Sequence, residues 1–331
     1  MSIQVLKPGL FTTIQDLGRT GFQKHGVIIS GVMDSYSSRI ANVVIGNKES
    51  EAVLEITVVG PSLLFEKSMV ISITGGDLSP TIDGRLVPMG RPVYVKEGSI
   101  LKFGSCQSGC RAYLAVGGGF SVPKVLNSKS TYLLGKLGGY KGRALDKEDR
   151  LLVGPISDVT KRLIKKLENQ NQGNPFSTTN WFVPSYIPAN TRKIRVIRGE
   201  HFEAFTEVSQ EQLFTEAFTI SSQSNRMGYR VSGAPLQLQK PFELLSEAVC
   251  HGTIQVPPEG NPIILLADRQ TTGGYPRMAQ VVTADLPILA QMKPGDQIRF
   301  QLIGIKEAER LLLQRELQMK QLKRSLFIQE R

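Results

Sequence analysis

Two stretches of this chain begin and end alike. Val5, Leu6, Lys7, Pro8 and Gly9, followed by Phe11, open the first; Val196, Ile197, Arg198 and Gly199, followed by Phe202, open the second. KEGSILKF at 96–103 and KPGDQIRF at 293–300 close them, with Lys, Gly, an aliphatic residue, a basic residue and Phe in identical spacing. Each stretch is about 100 residues long, a normal domain size. Matched motifs at both ends of equal-length segments point to a duplicated unit, and each closing motif reads as a Gly turn feeding an alternating strand.

The apolar pattern inside the units is strand-like: MVISI at 69–73, AYLAV at 112–116, KIRVI at 193–197, PIILLA at 262–267 and QIRFQLI at 297–303, punctuated by turn residues. Many short strands with Gly and Pro turns favour barrels or sandwiches over a doubly wound sheet, so the expected fold is mainly β with some α, two β-barrel units from an internal duplication. Met33, Tyr36, Ile40 and Val44 recur at helical steps after the Gly31 turn, and 157–169 reads as another helix leading into the polar stretch ENQNQGNPFSTTN at 168–180. The expected organisation is a first unit with an added segment over 1–155, a linker over 156–192, a second unit over 193–303 and an amphipathic helix over 304–331. On that helix Ile305, Ala308, Leu312, Met319, Leu322 and Leu326 share one stripe, suited either to packing on its own protein or to docking on a partner.

Composition narrows the function classes. Of the net charge of +11, residues 157–172 and 306–331 together supply +5 and the remainder is thinly spread, with no aromatic nucleic-acid motif or zinc finger beside a basic run. A solvated surface or an acidic partner accounts for the charge; nucleic acid is not expected. No apolar run reaches the ~18 residues of a spanning helix and MSIQVLKPG lacks the regions of a signal peptide, so a cytoplasmic protein without membrane contact is expected. Cys106, Cys110 and Cys250 fit no disulfide framework and read as reduced, buried thiols. His25, His201 and His251 stand singly, and no metal site is expected.

Familiar catalytic signatures are missing. The position where a P-loop ending at Gly135-Lys136 requires its earlier glycine is Ser130, and there is no GxSxG elbow. The densest polar cluster after an apolar strand is ADRQTTGGYPRMA at 267–279. There Asp268 could be a base or cation ligand, Gln270, Thr271 and Thr272 could orient a carbonyl or phosphate, Gly273 and Gly274 let backbone N–H groups approach a ligand, and Tyr275 would wall the pocket. The same Asp and Thr residues could instead cap a Gly turn. In a second cluster, 12–47, Asp16 and Arg19 could form a structural ion pair; Ser30, Asp34, Ser38, Arg39 and Asn42 could cap and decorate the following helix, although Arg39 and Asn42 near an apolar face are less easily explained so. A third, SQSNRMGYRVSG at 222–233, offers Arg226 and Arg230, suited to carboxylate or phosphate and equally to an ordinary surface.

GLFTTIQDLGRTGFQKHGVIISGVMDSYSSRIANVVIGN, RAYLAVGGGFSVPKVLNSKSTYLLGKLGGYKGRAL, SNRMGYRVSG and GTIQVPPEGNPIILLADRQTTGGYPRMAQVVTADLPILAQMKPGD together resemble the KipA, or allophanate hydrolase subunit 2, family over nearly all of 1–303. The resemblance implies two cyclophilin-like β-barrel units, kinship with the carboxyltransferase half of biotin-dependent urea carboxylase, and a place in the ATP-dependent 5-oxoprolinase complex beside a KipI-like B subunit and an A subunit. It also implies ATP, with Mg2+, shared with the partner subunits. No biotin is expected here, because the chain has no biotinyl Met-Lys-Met motif. On that reading Asp268, Gln270, Thr271 and Thr272 surround a reacting lactam amide or phosphate, and Arg19 and Arg226 neutralise anionic groups. The alternatives are a regulatory protein antagonising a KipI-type kinase inhibitor, or a carboxyltransferase acting on urea or allophanate. Asn225 stands where the family pattern leads one to expect Asp, and Glu148 where it leads one to expect Gly.

Overall fold

The computed structural model describes residues 1–186, 193–241 and 243–329. The protein is mainly β with few helices, and it divides into two compact units: Met1–Arg19, Ser30–Ile187 and Met319–Arg331 in the first, Thr20–Ile29 and Pro188–Gln318 in the second. Among the described residues no helix is long and apolar enough to cross a membrane.

The first unit is built from two six-stranded sheets. In one, Arg150–Leu152, Ser2–Lys7, Ser62–Phe65, Ile100–Lys102, Thr81–Ile82 and Arg85–Leu86 lie side by side; in the other the order is Phe176–Thr178, Val93–Val95, Met69–Asp77, Ser108–Val116, Val53–Thr57 and Phe11–Gln15. Strand alternation sorts the second sheet's residues between two cores. Leu54, Ile56, Ile71, Ile73, Leu114 and Val116 join Ile3, Val5, Leu63 and Phe65 of the first sheet. Val53, Val70, Tyr113 and Ala115 face the opposite way, against Ile40, Ala41 and Val44 of helix Ser35–Val44 and Leu163 and Leu167 of helix Asp158–Asn169. Burial on both faces is why MVISI and AYLAV read as continuous apolar runs. Each such side chain contributes about 1.5–3 kcal/mol.

The stretch expected to be a linker carries the helix Asp158–Asn169 and the strand Phe176–Thr178, whose residues pair with Val93–Val95. Ser157 caps that helix, accepting from Thr160 N. Leu163 and Leu167 on one face explain the attachment: a polar sequence with a narrow apolar stripe folds onto a core rather than into solvent. Residues 187–192 of the expected linker lie outside the described residues.

The second unit is a closed seven-stranded barrel, in the order Lys193–Arg198, Arg277–Val281, Thr253–Gln255, Ile263–Leu265, Gly228–Ser232, Phe218–Ile220 and Gln297–Leu302. Opening and closing strands run parallel in register, Lys193 opposite Arg299 through Val196 opposite Leu302, and this pairing closes the barrel. Ile194, Val196, Tyr229, Val231, Ile254, Ile264, Ile298 and Phe300 are buried alternate residues of these strands and fill the interior.

The C-terminal helix spans Ile305–Gln329. Ala308 and Leu311 pack on Val282, Ala284 and Ile303 of the second unit, and Met319, Leu322 and Leu326 on the first unit's helix-side core. Ile305 and Leu312, expected on the same stripe, are exposed. The packed face runs through Leu311, one position round the helix from the expected Leu312.

Candidate functional site

The polar clusters singled out in the sequence meet different fates. In the first unit, Asp16 is buried, and its carboxylate accepts hydrogen bonds from Ser128 Oγ at 2.6 Å, Ser130 Oγ at 2.5 Å, Lys129 N at 2.6 Å and Gly18 N at 2.8 Å. It clasps the 128–130 loop, whose hydroxyl and backbone donors converge on it. Arg19, fully buried, donates through Nη2 to Ser130 O. Arg39 Nε donates to Glu49 at 3.1 Å, and Asn42, at the buried face of its helix, donates to Glu51 O at 2.8 Å and accepts from Asn47 at 3.0 Å. Asp34 is the helix N-cap, accepting from Ser37 N, and its other oxygen accepts from Ser37 Oγ at 2.8 Å and Tyr186 Oη at 2.6 Å. Beside it Tyr113 donates to buried Glu55 at 3.0 Å. Burial, with Glu55 and Asp34 nearby, holds the Tyr113 phenol well above its usual range.

In the second unit, the outer face of the barrel carries a cavity of 530 Å3. Strand alternation supplies one wall: Tyr229 and Val231 point inward, while Arg230 points out. Ile263 and Leu265 of the neighbouring strand form the apolar floor, with Ile263 the partner of Arg230. The loop after PIILL forms the opposite wall through Gln270, Thr272, Gly273, Gly274 and Tyr275. A second cavity of 350 Å3 shares Arg230 and Tyr275 and adds Glu259.

Asp268, Thr271 and Arg226 do not line the cavity. Arg226 donates through Nε and Nη2 to the two oxygens of Asp268, at 2.8 and 3.0 Å, with 8% of each side chain exposed. Asp268 N also donates to Arg226 O at 2.9 Å, so the pair ties the start of the loop to the neighbouring segment. Thr271 contributes its carbonyl, which accepts from Val249 N at 3.1 Å. The Arg230 guanidinium, by contrast, is exposed, with no hydrogen bond or ion pair among the described residues.

Of the other lining residues, Arg269, Gln255 and Asn225 bear on the site, and none of them stood among the candidate site residues. Arg269 is buried at the cavity wall and donates to Leu266 O at 3.3 Å; burial pushes its guanidinium pKa below the usual value. Gln255 is 4% exposed, a polar residue within the apolar run TIQV that could have signalled it. Asn225 accepts from Met227 N at 2.7 Å, an Asx turn that the expected Asp would make equally. At Gly273 a Cβ would lie 2.5 Å from Gln255 Nε2, so a side chain there would push the Gln255 carboxamide aside. At Gly274 the nearest atoms would be at 3.5 Å, an ordinary contact.

Behind this wall, burial and the charges of Arg269 and Arg226 push His251 down to about 3, so its ring is neutral; Nε2 is sealed without a hydrogen bond among the described residues. Glu200, His201 and Glu247 converge elsewhere on the unit, but the Arg277 guanidinium donates to both carboxylates and occupies the place a cation would take. Cys110 is buried, Cys106 half-buried and Cys250 exposed, so the expectation of three buried thiols fails at Cys250, which lies on the surface turn before Thr253.

A barrel carrying an outward cleft of arginine, carboxamide and hydroxyl groups, in a chain that also holds a two-sheet unit with a buried polar network, has known counterparts. The family of the carboxyltransferase domain, subdomain A and B, matches residues 25–302, and the chain belongs to it. It is similar to the C subunit of 5-oxoprolinase from Haemophilus influenzae, 36% identical over 322 residues, 97% of this chain and 98% of that one. The C subunit of 5-oxoprolinase from Escherichia coli is 37% identical over 92% of this chain and 93% of its own length. The crystal structure of the K. lactis urea amidolyase superposes with a TM-score of 0.84 at 33% identity, over 97% of this chain and 20% of that much longer one.

Proposed function

We propose that this chain is the C subunit of an ATP-dependent 5-oxoprolinase, working in the cytoplasm with a KipI-like B subunit and an A subunit to open the lactam of 5-oxoproline to L-glutamate. The observation that carries the reading is the cleft on the second unit's barrel: a lining of arginine, carboxamide, hydroxyl and apolar groups with no acidic residue among the described ones. 5-Oxoproline is a carboxylate on a small ring containing a planar amide, and each part finds a complement there. Arg230, having no partner to surrender, takes the carboxylate or a phosphate oxygen. Ile263 and Leu265 take the ring's carbon face. Gln270 and Thr272 orient the amide carbonyl, the Gly273-Gly274 backbone approaches it, and Tyr275, 44% exposed, shields it.

An amide is a poor electrophile; a phosphoryl group transferred from ATP to its oxygen activates the carbon, and water adds there. The C–N bond breaks with the nitrogen taking the proton and leaving as the amine, and a second water releases phosphate from the resulting acyl phosphate to give glutamate. The donor set here fits an anion. It offers no carboxylate to Mg2+, so nucleotide and metal are held largely by the partner subunits, and no biotin is attached to this chain. Asp268 and Arg226 serve as the buried pair that anchors the loop, and Thr271 serves through its carbonyl. Asp16, Arg19, Arg39 and Asn42 build the first unit and do not contact the substrate.

The test is reconstitution. The chain alone should show little ATP hydrolysis; mixed with its KipI-like partner and the A subunit it should hydrolyse ATP when 5-oxoproline is added. A mixture that assembles but ignores 5-oxoproline would favour the regulatory reading instead.

A further inference from the structure

We infer that Gln255 is the residue that reads the lactam, its carboxamide pairing with the cis-amide edge of the ring through two hydrogen bonds and so selecting cyclic amides over cyclic esters. This rests on the function proposed above and names the specificity determinant of the same cleft. Gln255 ends strand Thr253–Gln255, whose middle residue Ile254 is fully buried in the barrel, so alternation turns Gln255 to the outer face. There it lines the cleft and is nevertheless 4% exposed, because the loop closes over it.

A carboxamide offers two N–H donors and an oxygen with two acceptor sites. In Gln255 one donor is used, Nε2 to Tyr275 O at 3.2 Å, and Oε1 accepts no hydrogen bond among the described residues. Oε1 is not among the sealed atoms, so a ligand in the cleft can reach it. Its orientation is held: the Gly273 backbone passes so close that a Cβ would lie 2.5 Å from Nε2 and 3.1 Å from Oε1, and the Tyr275 carbonyl grips the nitrogen. What remains is one N–H beside one acceptor oxygen, a fixed donor–acceptor pair.

The ligand edge that matches this pair is a cis amide. A five-membered lactam holds its N–H and C=O on one side, so both are satisfied at once. An open-chain secondary amide is trans and presents them on opposite sides. The corresponding lactone keeps the carbonyl, ring size and carboxylate but has no N–H, leaving Oε1 unpaired. Arg230 holds the carboxylate of either ring equally, so discrimination falls to Gln255.

The experiment uses the reconstituted complex, with 5-oxoproline as substrate and the lactone of 2-hydroxyglutarate as competing inhibitor. Gln255→Met should raise the KM for 5-oxoproline about 10- to 100-fold with a smaller change in kcat, and should weaken inhibition by the lactone distinctly less, because that ring makes only the hydrogen bond to its carbonyl. A merely structural loss would weaken both rings alike; equal weakening, or an unchanged KM for the lactam, overturns the inference. If Gln255→Met does not fold, as judged by thermal melting, Gln255→Leu removes the same donor and acceptor without adding charge and carries the same expectation. Should the wild-type complex not turn over 5-oxoproline, the proposed function fails by itself. Calorimetric titration of the two rings then decides for Gln255: lactam preference lost in the variant supports the pairing, and no preference in the wild type overturns it.

Discussion

The two units share their opening and closing motifs, yet one closes and the other does not. In the second, the strand after KPGD lies parallel beside the opening strand and seals the barrel. In the first, Ser62–Phe65 sits between the opening strand and the strand after KEGS, and the sheet ends in the short edge strands Arg150–Leu152 and Arg85–Leu86. The repeat therefore specifies element type, a Gly turn and an alternating strand. Pairing is decided by which faces the rest of the unit can bury. The contrast extends to polar groups. The first unit's cavity of 330 Å3 is bordered by Ser37, Arg91 and Tyr186, which are engaged with Asp34, Thr179 O and the Phe182 ring. The second unit leaves Arg230 and part of Gln255 open. The first unit's polar residues hold it together; the second unit's cleft is equipped to bind.

The sharpest test of that contrast is to break one buried anchor in each unit. Asp268→Ala leaves the Arg226 guanidinium buried without its counterion and should cost about 3–5 kcal/mol, read as a fall in melting temperature; Asp268→Leu with Arg226→Met should recover much of it. Asp16→Ala strands the donors of the 128–130 loop and should cost about 3 kcal/mol, with hydrogen exchange accelerated at Ser128–Ser130. In neither case should turnover per folded complex change much. Arg230→Met should do the reverse, lowering turnover of the complex about 100-fold with the melting temperature unmoved. If Arg230→Met melts early and stays active, the two units do not differ as stated.

A pH titration separates them further. His251 of the second unit is held near 3 in the folded state against 6.5 when unfolded. Below 6.5 the unfolded chain therefore binds a proton that the folded one refuses. The stabilisation is complete above 6.5 and is lost as pH falls toward 3, at about 1.4 kcal/mol per pH unit, or roughly 2 kcal/mol by pH 5. His251→Gln should flatten that acid limb in denaturant melts between pH 7 and 5; an unchanged slope would mean the ring is not sealed.

Much of the scaffold was legible in the sequence. Every apolar run read as a strand is one, and the helix after Gly31 runs from Ser35 to Val44. The loop after PIILL was legible as a cluster but not residue by residue, because residue type does not say which way a side chain turns. Asp268 and Arg226 look like a base and an anion binder until their 42-residue separation collapses into a buried pair. Gln255 and Arg269 went unnoticed because each lies in or after an apolar strand, where packing is the default expectation. Proximity in sequence suggests Arg19 for Asp16, whereas the donors of the 128–130 loop that hold its carboxylate lie more than 110 residues away.

The smallest effect tests whether the first unit tolerates backbone strain that the second avoids by glycine. Glu148 adopts φ 71°, in the left-handed region, at the position where the family pattern leads one to expect Gly. A side chain there costs about 1 kcal/mol, through contact of Cβ with the backbone. Its backbone N donates to Val5 O at 2.8 Å, which holds the conformation in place, and its side chain is largely exposed, with a 3.9 Å approach to Lys147 that contributes little. Glu148→Gly should therefore raise stability by about 0.5–1 kcal/mol, less whatever the freer unfolded chain takes back. In the second unit Gly260, at φ 80°, already occupies such a site, and a Cβ there would lie 2.9 Å from Pro235 Cβ and 3.0 Å from Leu236 N. Gly260→Ala should lose more than Glu148→Gly gains, since strain and crowding add. Equal and opposite shifts in the two melts would mean that φ alone matters, and that the closer packing around the barrel's turn contributes nothing to the difference between the units.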